Sequence, residues 1–183
     1  MNLLALLLIA VGLSMDAFAV SLCAGLSTER VTLKNSAFVG LFFGGAQTIM
    51  PIIGYFAGAR FAVHIAKYDH WVVLGILLFV GGKMIKEGLD RSHPCVTSLS
   101  FKNMISLSIA TSIDALAVGL SFALLKVNIL SASLLIGFVT LCLSMLGVKL
   151  GRIFGGRYKS NAELLGGVIL IIIGLKIFVG HIM

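Results

Sequence analysis

Six apolar runs, each close to the length of a membrane-spanning helix, restrict the fold of this chain more than any other feature of its sequence. A helix needs about 20 apolar residues to cross the hydrocarbon of a bilayer. With 59% hydrophobic and only 11% charged residues, the chain has too little polar surface to coat a soluble globule. We therefore predict an all-α membrane protein with six transmembrane helices. The runs cover residues 3–26, 36–58, 71–88, 103–125, 129–151 and 164–182.

Two acidic residues interrupt these runs near their middle. Asp16 lies in SMDAFAVSL and Asp114 in SIDALAVGL, and the two segments share their serine, alanine and valine positions around the acid. An ionised carboxylate inside a membrane costs several kcal/mol unless a positive group compensates it, so acids at this depth indicate a functional site.

The two acidic segments belong to a longer internal repeat. Gly54 and Gly58 match Gly147 and Gly151 at a constant offset, and each half contains three predicted helices. With an odd number of helices, the second half enters the membrane from the opposite side, which is the inverted-repeat plan of secondary transporters. We predict one membrane domain over residues 1–183, composed of a first repeat (1–90), a cytoplasmic linker (91–102) and a second repeat (103–183).

The basic residues predict the orientation in the membrane rather than a nucleic-acid partner, although the net charge is +7. Cytoplasmic loops carry an excess of Lys and Arg. Ten of the fourteen basic residues fall on the first, third and fifth connections or their flanks. This distribution places both termini on the extracytoplasmic side.

The two carboxylates together carry a charge of minus two, which matches one divalent cation. Small residues flank both acids on their own helix face, where they leave room for another helix or for a hydrated ion. Oxygen ligands suit hard or borderline ions such as Mg²⁺ and Mn²⁺, and the four histidines lie outside the middle of the spans. Asp16 and Asp114 are the predicted metal ligands. Secondary candidates are Ser14, Gln47, Thr111, Ser112, Ser121 and Thr140, with Glu87 and Glu163 at an access vestibule.

Lys83 and Lys176 offer a structural explanation for the same acids, namely intramembrane salt bridges. Both lysines lie toward helix ends, where long side chains can extend to the interface. We expect that extension rather than pairing. Of the three cysteines, Cys23 and Cys142 lie within predicted spans, and we interpret the cysteines as small packing residues rather than as a redox or thiolate site.

The paired acidic segments, GGKMIKEG at the end of the third run and ELLGGVILIIIGLKI in the last, resemble the MntP-type manganese efflux pumps of bacterial inner membranes. The resemblance covers nearly the whole chain. It implies a non-enzymatic transporter that exports manganese, with no permanently bound cofactor and with a metal-site role for Asp16 and Asp114.

On this basis we expect alternating access, in which Mn²⁺ enters from the cytoplasm and binds between the two acids, with protons as the natural counter-ion. Three alternatives stay open from the residues alone: export of another divalent metal or a cationic amino acid, a membrane thiol-disulfide carrier, and a purely structural membrane protein. The sequence leaves the oligomeric state open.

Overall fold

The computed structural model describes residues 3–26, 31–65, 69–89 and 101–154, together with residues 164–165, 168–173, 175 and 179. Every regular element among these residues is a helix, which confirms the all-α prediction for this part of the chain. The helices are α1 (Leu3–Leu26), α2 (Leu33–Ile65), α3 (Asp69–Leu89), α4 (Phe101–Thr111), α5 (Ile113–Leu124) and α6 (Ile129–Phe154).

Four described segments are long and apolar enough to cross a membrane: Leu3–Leu26, Leu33–Arg60, Met104–Leu124 and Ile129–Ile153. They correspond to the first, second, fourth and fifth predicted runs. Within α3, the apolar stretch found among the described residues is Leu74–Lys83. The sixth run lies partly outside the described residues. The chain is thus a multi-pass membrane protein, whereas the count of six spans stays a prediction.

Large apolar side chains cover the outside of the helices. Phe79, Phe138 and Ile153 are each more than 65% exposed, while smaller residues fill much of the interior. A water-soluble protein rarely exposes apolar surface on this scale. Lipid tails are as apolar as these side chains, so the exposed faces are suited to a bilayer.

The fourth run is one membrane span but two helices, a division that the sequence did not predict. Ser112 separates α4 from α5 with a φ of −98° and a ψ of 2°. Its backbone N–H donates to the carbonyl oxygens of Ser108 and Ile109, both at 3.1 Å. Such a shared hydrogen bond marks a locally tightened turn. The break therefore lies two residues before Asp114, and the new helix begins at Ile113.

Helices from opposite halves of the chain pack most extensively against one another. α1 lies along α6, α5 lies along α2, and α2 also packs against α6. At the crossing of α2 and α6, a Cβ atom on Gly44 would lie 2.8 Å from the Gly137 carbonyl oxygen. Only residues without a side chain permit this approach, as expected for helix association in lipid.

Pro51 lies inside α2, which continues on both sides of it. The residue is buried, and a Cβ atom on Gly119 of α5 would collide with the Pro51 backbone. This close packing supports a structural role for Pro51 rather than a coordinating one.

The prediction that the cysteines are only small packing residues is wrong for Cys23. Cys23 is disulfide-bonded, while Cys142 is a free cysteine. Cys23 is buried but lies only three residues before the end of α1, near the edge of the membrane span rather than at its packed middle. Sequence spacing did not reveal the bond, because the pairing of cysteines that are far apart along the chain depends on the tertiary fold.

Candidate functional site

Asp114 lies in the first turn of α5, immediately after the break at Ser112. It is ten residues from each end of the Met104–Leu124 span. At about 1.5 Å per residue, this position is about 15 Å from either end, near the bilayer midplane. The residue is only 3% exposed. The N-terminal end of a helix favours negative charge, so the break itself contributes to holding a carboxylate at this depth.

Lys83 of α3 is the charge partner of Asp114. Its Nζ lies 3.1 Å from Asp114 Oδ1, and its side chain is 38% exposed while that of Asp114 is 4% exposed. The expectation that Lys83 extends to the membrane interface is therefore wrong. The physical reason is that α3 packs against α5, so the inward path to a buried carboxylate is open to the lysine. Lys176 lies outside the described residues.

Asp16 lies in the unbroken helix α1 and is 8% exposed. The small residue one turn before it, Gly12, faces another helical segment rather than open space. A Cβ atom on Gly12 would lie 3.3 Å from the side chains of Ile169 and Leu170. The small residues beside Asp16 leave room for either another helix or a hydrated ion. At Gly12 that space is filled by the helical segment that contains Ile169 and Leu170.

Two polar side chains from other helices reach α1 close to Asp16. Thr140 Oγ1 of α6 lies 2.7 Å from Ser14 Oγ, and either hydroxyl can donate this hydrogen bond. Gln47 of α2 donates from Nε2 to the Leu13 carbonyl oxygen at 3.1 Å. Ser14, Gln47 and Thr140 are all fully buried. The secondary candidates at corresponding positions of the two halves, Gln47 and Thr140, are thus brought to the same stretch of α1.

Asp114 Oδ2, Gln47 Oε1 and Ser112 Oγ are buried oxygen atoms near the acidic segments that have no hydrogen-bond partner within the described part of the chain. Buried polar atoms are almost always satisfied, so each exception calls for an explanation. All three are oxygens, the atom type that binds Mn²⁺ or Mg²⁺. Gln47 is the most informative, because the hydrogen bond of its amide nitrogen fixes the side chain while its oxygen is left available.

The other hydroxyl candidates are satisfied within their own helices. Thr111 Oγ1 donates to the Leu107 or Ser108 carbonyl oxygen at 3.0 or 3.2 Å. Ser121 Oγ donates to the Ala117 carbonyl oxygen at 3.3 Å. This is the ordinary behaviour of Ser and Thr in membrane helices. Their hydroxyl hydrogens are used, and neither residue stands out as a ligand on structural grounds.

The predicted vestibule falls largely outside what the structure describes. Glu87 belongs to the last turn of α3, but its side chain lies outside the described part, as does all of Glu163. Among the described residues, no group of three or more His, Cys, Asp or Glu side chains is placed to hold a metal ion.

Glycine contacts relate the two halves of the chain in a regular way. A Cβ atom on Gly54 or Gly58 of α2 would meet Leu116 or Leu120 of α5. In the same manner, the matching Gly147 and Gly151 of α6 face Phe18 and Leu22 of α1. Phe18 and Leu116 each follow an intramembrane acid by two residues. The second helix of each half therefore supports the acid-bearing helix of the other half.

The sequence named the pairing of Lys83 with Asp114 only as the less favoured alternative, and it did not predict the break at Ser112. The sequence supported that alternative, because a basic residue can compensate an acid inside the membrane. The break has no comparable signal. No Pro or Gly interrupts residues 101–118, and α1 passes through its matching segment without a break.

Comparison with known proteins connects this arrangement to a described family. Residues 30–178 match the family model described as "Putative manganese efflux pump". A protein of that name, with the designation MntP, from Desulfitobacterium hafniense (strain Y51) is 51% identical over 98% of this chain and 95% of its own. The protein of the same name from Acetivibrio thermocellus is 46% identical over 100% of this chain and 93% of its own length. The one from Campylobacter jejuni is 49% identical over 100% of this chain and 98% of its own length. No solved structure matches the chain.

Proposed function

The chain belongs to the manganese efflux pump family, and from this premise we propose that it is a secondary transporter that exports Mn²⁺ from the cytoplasm across the bacterial inner membrane. Members of the family are named as efflux pumps, so the chain is a transporter and not an enzyme. The main support for Asp114 as part of the substrate site is its burial near the middle of a membrane span, where the residue is only 3% exposed.

The proposed site takes one Mn²⁺ ion between Asp16 and Asp114. Two carboxylates neutralise a divalent ion, and neutral oxygens complete its coordination. Gln47 Oε1 and Ser112 Oγ support this assignment, because both are buried oxygens that have no partner among the described residues. The joint site requires both carboxylates to coordinate the same ion.

Alternating access is the proposed mechanism. In inverted-repeat transporters, the two repeats move against each other around a site at the midplane. The matched glycine contacts support an inverted repeat, since Gly54 and Gly147 face the residues two positions after Asp114 and Asp16. The break at Ser112 supports a midplane site, because discontinuous helices commonly line such sites.

We propose protons as the coupling ion and an orientation with both termini outside. A carboxylate that releases a metal ion can take up a proton, which makes proton antiport chemically natural. The orientation is supported by the excess of basic residues on the first, third and fifth connections.

Purified protein in liposomes tests the function directly. We expect Mn²⁺ transport that exceeds transport of Mg²⁺, Zn²⁺ and Cd²⁺, that responds to an imposed pH gradient, and that is abolished in an Asp16→Asn/Asp114→Asn double variant. Leu41→Ala, which alters an exposed side chain of α2, serves as the control and should transport normally. Absence of Mn²⁺ transport by the unmodified protein, or normal transport by the double variant, would overturn the proposal.

One observation favours a second candidate, the export of a cationic amino acid. The ammonium group of Lys83 already lies 3.1 Å from Asp114 Oδ1, so this carboxylate accommodates an organic cation. The same liposomes distinguish the two substrates. If labelled lysine or arginine is taken up and this uptake is inhibited by Mn²⁺, the amino acid is favoured as the substrate. If Mn²⁺ uptake is unchanged by added lysine or arginine, the metal is favoured.

A further inference from the structure

Lys83 has a role that the metal-site proposal does not include. Its Nζ contacts one oxygen of Asp114 at 3.1 Å, and the other oxygen, Oδ2, is buried with no hydrogen-bond partner within the described part of the chain. The ammonium group of Lys83 therefore binds Oδ1 of the Asp114 carboxylate, while Oδ2 is left as an acceptor without a donor. This arrangement differs from a fully satisfied structural salt bridge, in which both oxygens would be engaged.

We propose that Lys83 is the resident counter-cation of Asp114 and that the transported divalent ion displaces it. The inference rests on the proposed function, because it assigns Asp114 to the substrate site. Lys83 occupies the Asp114 carboxylate when no substrate is bound, which leaves Asp16 as the carboxylate that takes up the counter-transported proton. When the ion binds, the ammonium group withdraws, and it returns when the ion leaves.

Charge balance requires this exchange. Asp16, Asp114 and a divalent ion together are neutral, so a lysine that stayed at Asp114 would leave one uncompensated positive charge in the site. Positive charges at short range repel strongly where the dielectric constant is low. If the lysine leaves as the ion arrives, Asp114 is always compensated by one cation and never by two.

The geometry of Lys83 permits the movement. Its side chain is 38% exposed, and the residue lies six positions before the end of α3. A long aliphatic side chain at such a position can carry its ammonium group to the interface. Asp114, in contrast, is fixed by α5, which packs along α2. The lysine is therefore the mobile member of the pair.

The exchange has a consequence for the transport cycle. A transporter that has released its ion must return across the membrane with an empty site, and an uncompensated buried carboxylate opposes that step. With Lys83 on Asp114, the empty form carries no net charge at this residue. Lys83 therefore facilitates the return of the transporter without its ion, and it competes with the ion for Asp114 during binding.

Lys83→Met tests both effects, since methionine keeps much of the length and removes the charge. In Mn²⁺ titrations of the purified protein, we expect binding about tenfold tighter, which corresponds to a lysine that leaves the carboxylate in about one molecule in ten. In liposomes, net Mn²⁺ export should fall several-fold while exchange of Mn²⁺ for Mn²⁺ continues, because exchange avoids the empty return. Lys83→Arg should retain export, and Lys86→Met, at an exposed position one turn later on α3, should change neither quantity.

A measurement on the unmodified protein keeps the inference testable if Lys83→Met fails to fold. Acetylation of each lysine is followed by mass spectrometry during a Mn²⁺ titration. Mn²⁺ should raise the modification rate of Lys83 several-fold and leave that of Lys86 unchanged.

The outcomes separate the two proposals. If the unmodified protein does not bind Mn²⁺, the proposed function fails. If it binds Mn²⁺ but the affinity of Lys83→Met is unchanged or weaker, or if the Lys83 modification rate does not respond to Mn²⁺, the displacement of Lys83 is wrong while the proposed function stands.

Discussion

The hydroxyl oxygens of Ser14 and Thr140 lie 2.7 Å apart, which joins α1 of the first half to α6 of the second at a point two residues before Asp16. Each hydroxyl is also within hydrogen-bond distance of a carbonyl in its own helix, Ala10 for Ser14 and Ile136 for Thr140. The two hydroxyl groups have only two hydrogens to donate, although three oxygen pairs are within hydrogen-bond distance: Ser14 with Ala10, Ser14 with Thr140, and Thr140 with Ile136. The pair fixes the acid-bearing part of α1 against the opposite half of the molecule.

Removing this pair should weaken the contact between α1 and α6. We expect a coupling of about 0.6 kcal/mol between Ser14→Ala and Thr140→Val, the average for hydrogen bonds between membrane helices. A double-mutant cycle on the free energy of unfolding in detergent measures it. Thr111→Val is the matched control, because the Thr111 hydroxyl donates within its own helix. Strict additivity of the Ser14 and Thr140 variants would contradict the assigned contact.

Gly54→Ala should destabilise the protein strongly. The added methyl group would collide with the Leu116 carbonyl of α5, and overpacking of this kind costs about 1–3 kcal/mol. Gly45→Ala, on the same helix, provides the control, since no heavy atom lies within 4 Å of its added Cβ. Thermal unfolding of the two variants should differ clearly, and equal melting temperatures would show that α2 and α5 are not in close contact.

Gln47→Leu should weaken Mn²⁺ binding by about tenfold, the lower end of what is lost when a residue supporting a metal site is removed. The leucine lacks both the oxygen without a partner and the amide that donates to Leu13. Ser36→Ala is the control on the same helix, because Ser36 Oγ is also buried without a described partner but lies eleven residues away, at about 16 Å. An unchanged Mn²⁺ affinity in Gln47→Leu would exclude Gln47 from the site.

Much of the fold follows from the sequence, because one physical constraint dominates. Apolar runs of membrane-spanning length predict helices, and the described chain has helices where the runs lie. The glycines that relate the two halves in sequence, Gly54, Gly58, Gly147 and Gly151, also lie at close helix contacts. These features depend on local composition and spacing.

The features that the sequence did not reveal depend on where helices lie relative to one another. Lys83 pairs with Asp114 because α3 packs beside α5, and no spacing rule relates residues on those two helices. The break at Ser112 is similar, since α1 carries the same serine-acid pattern at Ser14 without interruption. Tertiary packing decides both.

The binding of Mn²⁺ to purified protein, followed by the loss of the free-ion signal in electron paramagnetic resonance, tests the central claim that one ion binds jointly to Asp16 and Asp114. We expect one bound ion per chain. We also expect Asp16→Asn and Asp114→Asn each to weaken that binding by about 100-fold or more, since even residues that only orient metal ligands contribute about 10- to 100-fold. Two ions per chain, with each variant losing only one, would contradict a shared site, as would full affinity in either variant.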